Sequence, residues 1–256
     1  HARDFTTTLF LSSTCIFAAY FTPRCIIRPS HCVPSTVSYL LHMFKTILQI
    51  LLSILLGIPL FFICLHTILR IVRHFHKFPI PQFLANAIDN PLRRRIQPPD
   101  ATAVRHGIQP GMHVLEVGPG NGTYTLASAR RIGDTGRLVT IDIEPRMIQR
   151  VENKIAALGI TNIQPRLANV YSLPFAEAEF DLIYMIAVIG EIPEPHKALD
   201  EFHRVLKPGG TLVFSELIMD PDYPFASTLI HMATAAGFRF KEKLGSFFYY
   251  TLIFEK

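Results

Sequence analysis

The fold is decided by the segment VLEVGPGNGTYT, which occupies residues 114–125. Residues 114–117 form a short apolar run that is typical of a buried parallel strand, and three alternating glycines follow it. Because glycine has no Cβ atom, the backbone can turn sharply there and lie close to a ligand. Residues 121–125 are polar and suited to cap the start of a helix. The segment therefore predicts a strand, a glycine loop and a helix, either as a structural turn or as a ligand-binding loop.

Strand and helix patterns alternate along the chain after this loop. The predicted helices run to about Ile132 and over 144–158, 196–206 and 225–236, and the predicted strands cover 137–141, 163–167, 180–186 and 211–216. Two last strands, 238–243 and 247–254, flank Gly245-Ser246 and predict an antiparallel hairpin. We therefore predict an α/β fold with a doubly wound, mainly parallel sheet of seven strands. Ligands of such sheets bind beyond the carboxyl ends of the strands.

Asp142 follows the second predicted strand and lies 20 residues beyond Gly122. An acidic side chain at this place in a βαβ unit can bind the two hydroxyls of a ribose with its carboxylate oxygens. Aspartate is also common at helix N-caps, so a purely structural cap is the alternative. Two other nucleotide motifs fit less well. The dehydrogenase fingerprint requires a glycine where Thr123 stands, and the Gly-Lys-Ser/Thr of a P-loop does not follow.

Ile47 to Leu69 form a run of 23 residues that contains no Asp, Glu, Lys or Arg. A helix needs about 20 mostly apolar residues to cross the hydrocarbon core of a bilayer. Basic residues from Arg70 to Arg95 follow the run, whereas Lys45 is the nearest charge before it. The positive-inside rule then predicts a single-pass membrane protein with a cytoplasmic C-terminal domain. The alternative is a buried or re-entrant helix.

Charge and proline content predict the organisation of the chain. Residues 1–95 carry 10 Lys/Arg and 2 Asp/Glu, whereas residues 96–256 carry 15 and 18. Because the larger part is slightly acidic, the positive charge suits a membrane surface, and we expect no binding of nucleic acid. We expect a leader over 1–45 that is not native or is disordered, with Met43 as a candidate start. A transmembrane helix over 46–72, a basic, proline-rich linker over 73–100 with a short helix at 83–89, and a domain over 101–256 complete the prediction.

All four cysteines lie before residue 65. The predicted domain therefore has no disulfide, no thiolate metal site and no cysteine nucleophile, and we predict no metal.

From Arg93 to Lys256 the chain resembles class I S-adenosylmethionine-dependent methyltransferases, nearest to the type of ubiquinone and menaquinone biosynthesis. The resemblance rests on four blocks in the expected order. They are VLEVGPGNG at 114–122, TIDIEPRM at 140–147, LPF at 173–175 followed by FD at 180–181, and RVLKPGG at 204–210. The resemblance implies that S-adenosyl-L-methionine is the cofactor and that the terminal hairpin supplies the antiparallel seventh strand of that family.

The resemblance also implies a set of cofactor-binding residues. The methionine part would be bound by Glu116, Gly118, Pro119, Gly120 and Gly122, the ribose by Asp142, the adenine by Ile143, Asn169 and Val170, and the sulfonium would be flanked by Ile186. The family usually has aspartate at the position of Asn169. An amide offers both a donor and an acceptor, so adenine recognition remains feasible there.

No motif identifies the catalytic group, because methyl transfer from a sulfonium depends mainly on alignment and the exclusion of water. Glu191 lies in the loop after the fourth strand, where the family commonly has two histidines, and it is our candidate general base. The alternative is a solvated loop carboxylate favoured near a helix start. Glu216, Tyr223 and His231 are further candidates for the acceptor pocket, because sites lie at strand carboxyl ends.

The apolar segment predicts the class of acceptor. A domain held at the bilayer surface works where lipophilic molecules are concentrated. We therefore expect a small, membrane-associated acceptor such as a quinone precursor, another isoprenoid, a lipid amine or a thiol. The alternative function is a catalytically silent, membrane-anchored module that binds the cofactor or a partner.

Overall fold

The computed structural model describes residues 36–75 and 90–256. The chain divides into two units, His1–Leu60 and Phe61–Lys256. Most of the predicted leader and the helix expected at 83–89 lie outside the described residues. Everything that builds the predicted domain lies in the second unit.

The first described element is helix α1, Thr36–Phe75, which has 40 residues and contains Pro59. It extends beyond both ends of the predicted span, and its first ten residues belong to the segment predicted as leader. No Gly or Pro lies between Thr36 and Lys45, so nothing in that stretch stops a helix. The part from Ser38 to Arg73 is long and apolar enough to cross a membrane, which by itself is weak evidence for an anchor.

Two short helices lie in and after the segment predicted as a linker. They are α2, Pro91–Ile96, and α3, Pro99–Arg105. The side chain of Asn90 caps α2 by accepting the N–H of Arg93 at 3.0 Å. Proline suits the first position of a helix, because its φ is already helical and its missing N–H would have no partner there. Pro91 and Pro99 thus begin helices inside the segment that we predicted as a linker.

Seven strands form one sheet in the order β3-β2-β1-β4-β5-β7-β6. The strands are β1 His113–Val117, β2 Arg137–Asp142, β3 Ile163–Leu167, β4 Phe180–Ile186, β5 Leu206–Leu217, β6 Arg239–Gly245 and β7 Tyr249–Glu255. Strands β1 to β5 are parallel, and β7 pairs antiparallel with both β5 and β6. The predicted seven-stranded, mainly parallel sheet with a C-terminal antiparallel hairpin is confirmed.

Four longer helices connect the strands, and they agree with the predicted helices to within a residue or two. They are α4 Thr123–Ile132, α5 Pro145–Leu158, α6 Pro195–Val205 and α7 Ala226–Ala235. The largest difference concerns β5, which begins at Leu206 and so includes residues 206–210, before the predicted start of this strand at residue 211. Leu206 pairs with Phe180, and a register shift before Leu182 accommodates the extra residues.

The core lies on both faces of the sheet. Leu115 belongs to a cluster with Phe202 of α6, whereas its neighbour Val114 belongs to a second cluster with Ile132 of α4. Neighbouring residues of a strand point to opposite faces, so β1 is buried on both sides, as expected for a doubly wound sheet. Only the ends of this strand are left to contact a ligand.

His106, directly after α3, fixes the N-terminal helices to the sheet. Its Nε2 lies 2.8 Å from the Oγ of Ser215 on β5, and that hydroxyl lies 2.8 Å from the Oγ1 of Thr251 on β7. The ring also packs against Tyr184, with a centroid distance of 5.0 Å. Burial lowers the pKa of His106 from 6.5 to about 3. The folded chain therefore holds this imidazole in its neutral form.

This depressed pKa predicts a pH dependence of stability. Between about pH 6.5 and pH 3 the unfolded chain binds a proton on His106 and the folded chain does not. The contribution of this residue to the free energy of unfolding is thus complete above pH 6.5 and is lost as the pH falls through that window. We expect His106→Gln to flatten this part of the profile, measured by urea unfolding of the full chain in detergent.

The exposed His231 provides the matched control, because His231→Gln leaves the buried imidazole in place. We expect its profile to follow that of the unaltered chain. Equal slopes for His106→Gln and the unaltered chain would contradict the assignment.

Candidate functional site

A cavity of about 410 Å³ opens at the carboxyl ends of β1, β2 and β4. Glu191 lines it, and so do all the predicted cofactor-binding residues except Gly122. The predicted residues that line the cavity are Glu116, Gly118, Pro119, Gly120, Asp142, Ile143, Asn169, Val170, Ile186 and Glu191. Residues from distant parts of the sequence are thus brought together at one edge of the sheet.

The glycine loop follows β1 and forms one wall of the cavity. Gly118, Gly120 and Gly122 all have positive φ, at 73°, 53° and 72°, a conformation that glycine adopts without strain. A Cβ atom on Gly118 would lie 2.5 Å from the Cγ2 atom of Val188, so the loops after β1 and β4 can meet only at a glycine. A Cβ atom on Gly120 would meet nothing within 4 Å, because that position borders the cavity.

The expected polar cap of α4 is wrong. Gly122 occupies the N-cap position and no side chain caps the helix. Asn121 instead contacts two basic residues of α5, because its side-chain oxygen accepts from Arg150 and its carbonyl accepts from Lys154. Gly122 therefore serves the strand-to-helix turn and does not face the cavity.

Two carboxyl groups lie at the ends of adjacent strands in the cavity wall. Glu116 on β1 is 2% exposed, and burial raises the pKa of its side chain. Asp142 at the end of β2 accepts the N–H of Glu144 at 2.9 Å through Oδ1, and burial raises its pKa as well. Asp142 thus supports the start of α5 and faces the cavity, so the two alternatives considered for it are compatible.

The far wall of the cavity follows β3 and β4. Asn169 is exposed, and its Oδ1 accepts the N–H of Tyr171 at 3.0 Å. Ile186 ends β4, and the next residue, Ala187, has a φ of 57°, in the left-handed region that disfavours residues with a Cβ atom. Ala187 also lines the cavity. Strained backbone of this kind persists where the surrounding structure enforces it, and it is frequent at functional sites.

Two buried arginines at the site were not found from the sequence. Arg93 of α2 donates to Asp220 through its two terminal guanidinium nitrogens, one to each carboxylate oxygen, at 2.7 and 3.2 Å. Both residues line the cavity. Arg73 near the end of α1 contacts Asp222 and lies 3.7 Å from a carboxylate oxygen of Glu191. The only sequence signal was the pair of aspartates at 220 and 222 in an otherwise apolar stretch.

The three further acceptor candidates do not line this cavity. Glu216 is buried beside the end of β5, where burial raises its pKa well above its usual range. Tyr223 is buried, and its hydroxyl donates to the carbonyl of Phe247. His231 is exposed on α7. We therefore leave these residues out of the site.

The comparisons with known proteins agree with this geometry. Residues 115–214 match the family described as a methyltransferase domain. The chain carries a class I S-adenosylmethionine-dependent methyltransferase domain. The match begins in β1 and ends in β5, so it includes the strands at whose ends the cavity lies. S-adenosylmethionine is accordingly the methyl donor of this domain.

Curated relatives and solved structures resemble parts of this domain. The ubiquinone/menaquinone biosynthesis C-methyltransferase UbiE of Enterobacter sp. (strain 638) is 36% identical over 119 residues, which are 45% of this chain and 47% of that protein. The arsenite methyltransferase of Halobacterium salinarum is 29% identical over 115 residues, 45% of this chain and 29% of that protein. The chain spans about half the length of the UbiE proteins it matches.

A crystal structure of a SAM-dependent methyltransferase from Aquifex aeolicus superimposes with a TM-score of 0.64 at 22% identity. The superposition covers 69% of this chain and 99% of that one. At this level of identity the likeness shows that the two chains share a fold. Because one fold can host several reactions, the acceptor must be inferred from the site itself.

The cavity suits the chemistry of the methyl donor. S-adenosylmethionine carries a sulfonium and an ammonium, and the cavity is bordered by five carboxyl groups and one guanidinium. The carboxyl groups belong to Glu116, Asp142, Glu144, Glu191 and Asp220, and the guanidinium to Arg93. A cation therefore enters a site of mostly opposite charge. The open space beside Gly120 admits a ligand that a side chain would displace.

Substitution by alanine is expected to have different effects at Gly118 and at Gly120. Gly120→Ala should weaken binding of S-adenosylmethionine because the new Cβ atom enters the cavity wall, while the left-handed backbone costs about 1–2 kcal/mol of stability. Gly118→Ala should destabilise the chain further, because its Cβ atom would also collide with Val188. Calorimetric titration and urea unfolding of the full chain in detergent measure the two effects.

Gly159 is the matched control, because it has a φ of 64°, open space around its Cβ position and no place in the cavity. We expect Gly159→Ala to lose stability as Gly120→Ala does and to keep its affinity. Unchanged affinity in Gly120→Ala would show that the cavity wall at this glycine does not face the ligand.

Proposed function

We propose that this protein transfers a methyl group from S-adenosylmethionine to a small lipophilic acceptor that is dissolved in a membrane. Helix α1 would anchor the chain, and the domain would lie on the cytoplasmic side. We also propose that the domain includes α2, because the buried Arg93 makes that helix part of the cavity wall. The observation that carries the proposal is the cavity at the ends of β1, β2 and β4, within a methyltransferase domain that follows a long apolar helix.

The residues of the cavity divide into those for the methionine part and those for the nucleoside. The Glu116 carboxyl, buried below the glycine loop, would orient the ammonium group, while Gly118, Pro119 and Gly120 leave room for the chain beside it. Asp142 would accept hydrogen bonds from the ribose hydroxyls with the carboxylate oxygen that Glu144 does not use. Gly122 is proposed only as a shaping residue of the turn.

The nucleoside end of the cavity lies between β2 and β3. Ile143, which is mostly exposed in the absence of a ligand, would pack on one face of the adenine. Because the Oδ1 atom of Asn169 already accepts from Tyr171, its NH2 group would donate to a ring nitrogen. The Val170 backbone N–H would contact the same edge. This arrangement explains how an amide can serve where a carboxylate is usual.

The acceptor end lies beside the loop after β4. Ile186 would flank the sulfonium, and apolar residues that follow it border the cavity, among them Val188 and Ile192. Glu191 is the carboxylate at this end that we propose as general base, with Arg73 holding it in place at 3.7 Å. S-adenosylmethionine supplies an electrophilic methyl group. The protein aligns the acceptor with it, excludes water and receives the proton of an acceptor hydroxyl, amine or thiol at Glu191.

The assignment of Asp142 to the ribose predicts that removal of its negative charge weakens binding of S-adenosylmethionine. Asp142→Asn keeps the shape of the side chain but removes the carboxylate, and hydrogen bonds to a charged group contribute about 1.5–3 kcal/mol. We expect binding of S-adenosylmethionine to weaken by roughly 10- to 100-fold, as measured by calorimetric titration of the full chain. Asp134→Asn, an exposed change in the turn before β2, is the control and should bind normally. Normal binding by Asp142→Asn would contradict the ribose assignment.

The acceptor class is tested by following the methyl group. We expect the purified full chain to transfer label from methyl-labelled S-adenosylmethionine into the lipid extract of cell membranes and not into the water-soluble extract of the same cells. Chromatography and mass spectrometry of the labelled product would identify the acceptor atom. Label that appears only in water-soluble products would refute a lipophilic acceptor.

Glu191→Gln is measured in the same assay. A general base typically contributes about 100- to 10,000-fold, so we expect at least a roughly 100-fold loss of turnover with unchanged binding of S-adenosylmethionine. Glu194→Gln, at an exposed carboxylate paired with Lys197, is the control. Undiminished turnover in Glu191→Gln would remove this residue from the mechanism. Normal cofactor binding with no transfer to either extract would favour the catalytically silent alternative.

A further inference from the structure

Four exposed apolar side chains lie together near the turn between β6 and β7. Met219, Phe225, Phe247 and Phe248 form this surface, here called the aromatic patch, and their exposed fractions are 52% to 64%. The rings of Phe225 and Phe247 stack with a centroid distance of 6.2 Å, and those of Phe247 and Phe248 lie 5.7 Å apart. Adjacent large apolar side chains that remain exposed usually mark an interaction surface.

The backbone holds the two phenylalanines of the turn in fixed positions. Gly245 has a φ of +96°, and a Cβ atom there would lie 2.3 Å from the carbonyl oxygen of Tyr249, so only glycine fits. The N–H of Ser246 donates to that same carbonyl at 2.7 Å, and the N–H of Phe248 donates to the Oγ of Ser246 at 3.2 Å. The conformation of the turn therefore holds the exposed rings of Phe247 and Phe248 at the tip of the hairpin.

The loop after β5 lies alongside this turn. The N–H of Ile218 donates to the carbonyl of Phe248 at 2.9 Å, which places the neighbouring Met219 beside the turn. Tyr223 of the same loop packs edge-on against Phe225 and Phe247, at 6.4 and 6.1 Å. The loop and the turn are thus joined by a backbone hydrogen bond, and together they offer apolar side chains to a partner.

The patch also lies next to the end of α1. The guanidinium of Arg70 donates to the carbonyl oxygen of Tyr223 at 2.7 Å and lies 5.6 Å from the centre of the Tyr223 ring. Arg70 is three residues from the end of the segment Ser38–Arg73 that is apolar and long enough to span a membrane. Arg70 thus connects the end of this apolar segment with Tyr223, whose ring packs against Phe225 and Phe247 of the patch.

The same loop connects the patch with the cavity. Asp220 lines the cavity and follows Met219 directly. Arg73 contacts both Asp222 of the same loop and Glu191, the residue proposed for the acceptor end. A partner that covers the patch would consequently lie beside the acceptor end of the cavity and away from the nucleoside end.

We propose that the aromatic patch docks on the surface of the lipid bilayer into which α1 inserts. The proposal rests on the membrane placement given under the proposed function and adds a second contact to it. Apolar side chains such as phenylalanine on a membrane-bound surface bury at the boundary between headgroups and acyl chains, and the end of a spanning helix lies near that depth. Docking there turns the acceptor end of the cavity toward the bilayer, so that a lipophilic molecule passes from membrane to site without crossing water.

A single tryptophan tests the contact. The chain contains no Trp, so Phe248→Trp introduces the only indole of the full chain. We expect its emission to shift to shorter wavelength in phosphatidylcholine vesicles and to be quenched when the lipids carry bromine on their acyl chains. Leu158→Trp is the matched control, because Leu158 is 60% exposed at the end of α5, at the opposite edge of the sheet. Its emission should be unaffected by brominated lipid.

Two further measurements separate the outcomes. Flotation with the vesicles reports membrane placement, and titration with S-adenosylmethionine reports a folded domain. A chain that floats and binds the methyl donor, yet shows no quenching at residue 248, overturns the docking and leaves the proposed function intact. A chain that does not float overturns the membrane placement and the docking together. If Phe248→Trp does not fold, Phe225→Trp reports on the same patch with the same expected result.

One outcome identifies a different partner. A shift of the emission to shorter wavelength in detergent as well as in vesicles, without quenching by brominated lipid, would mean that protein covers the patch. That result overturns the proposal. Methyl transfer to the lipid extract is measured independently, so failure of the docking cannot be mistaken for failure of the catalytic assignment.

Discussion

The structure depends on a central strand that has no solvent face. Because β1 packs against apolar clusters on both sides, its side chains within the sheet must be apolar or must have hydrogen-bonding partners. A ligand can therefore contact this strand only at its end. Accordingly, the glycine loop, Asp142 and the strained Ala187 lie at or directly beyond the carboxyl ends of β1, β2 and β4. Glu116 is the one buried polar side chain of β1, and it lines the cavity.

Buried ion pairs complete the site from outside the sheet. Arg93 and Asp220 are separated by 127 residues in sequence, yet each satisfies the charge of the other inside the protein. A buried pair of this kind adds little net stability, but the loss of either partner leaves an uncompensated charge. The Arg93–Asp220 pair therefore fixes the position of α2 without adding much to the free energy of unfolding. That position makes Arg93 part of the cavity wall.

The sequence predicted those parts of the site that depend on local spacing. The glycine loop and Asp142 belong to one βαβ unit, and their positions follow from the alternation of strand and helix. Pairing over long distances carries no such pattern, which is why Arg93 and Asp220 were not found. The extent of α1 was underestimated because only its most apolar part was considered, and Gly122 was placed in the cavity because spacing does not reveal which way a turn faces. Glu216 lies at a strand end, as expected, but does not line the cavity.

Arg70 and Arg73 act once during insertion into the membrane and again in the folded protein. In the folded protein one donates to a backbone carbonyl and the other contacts carboxylates, so neither is simply a surface charge. During insertion these contacts do not yet exist, and both arginines count among the positive charges that determine the orientation of a nascent helix. On the proposed placement, Arg70 and Arg73 determine on which side of the membrane the domain folds. Once the domain has folded, it covers both side chains. Their replacement would then affect biogenesis and folding by separate routes.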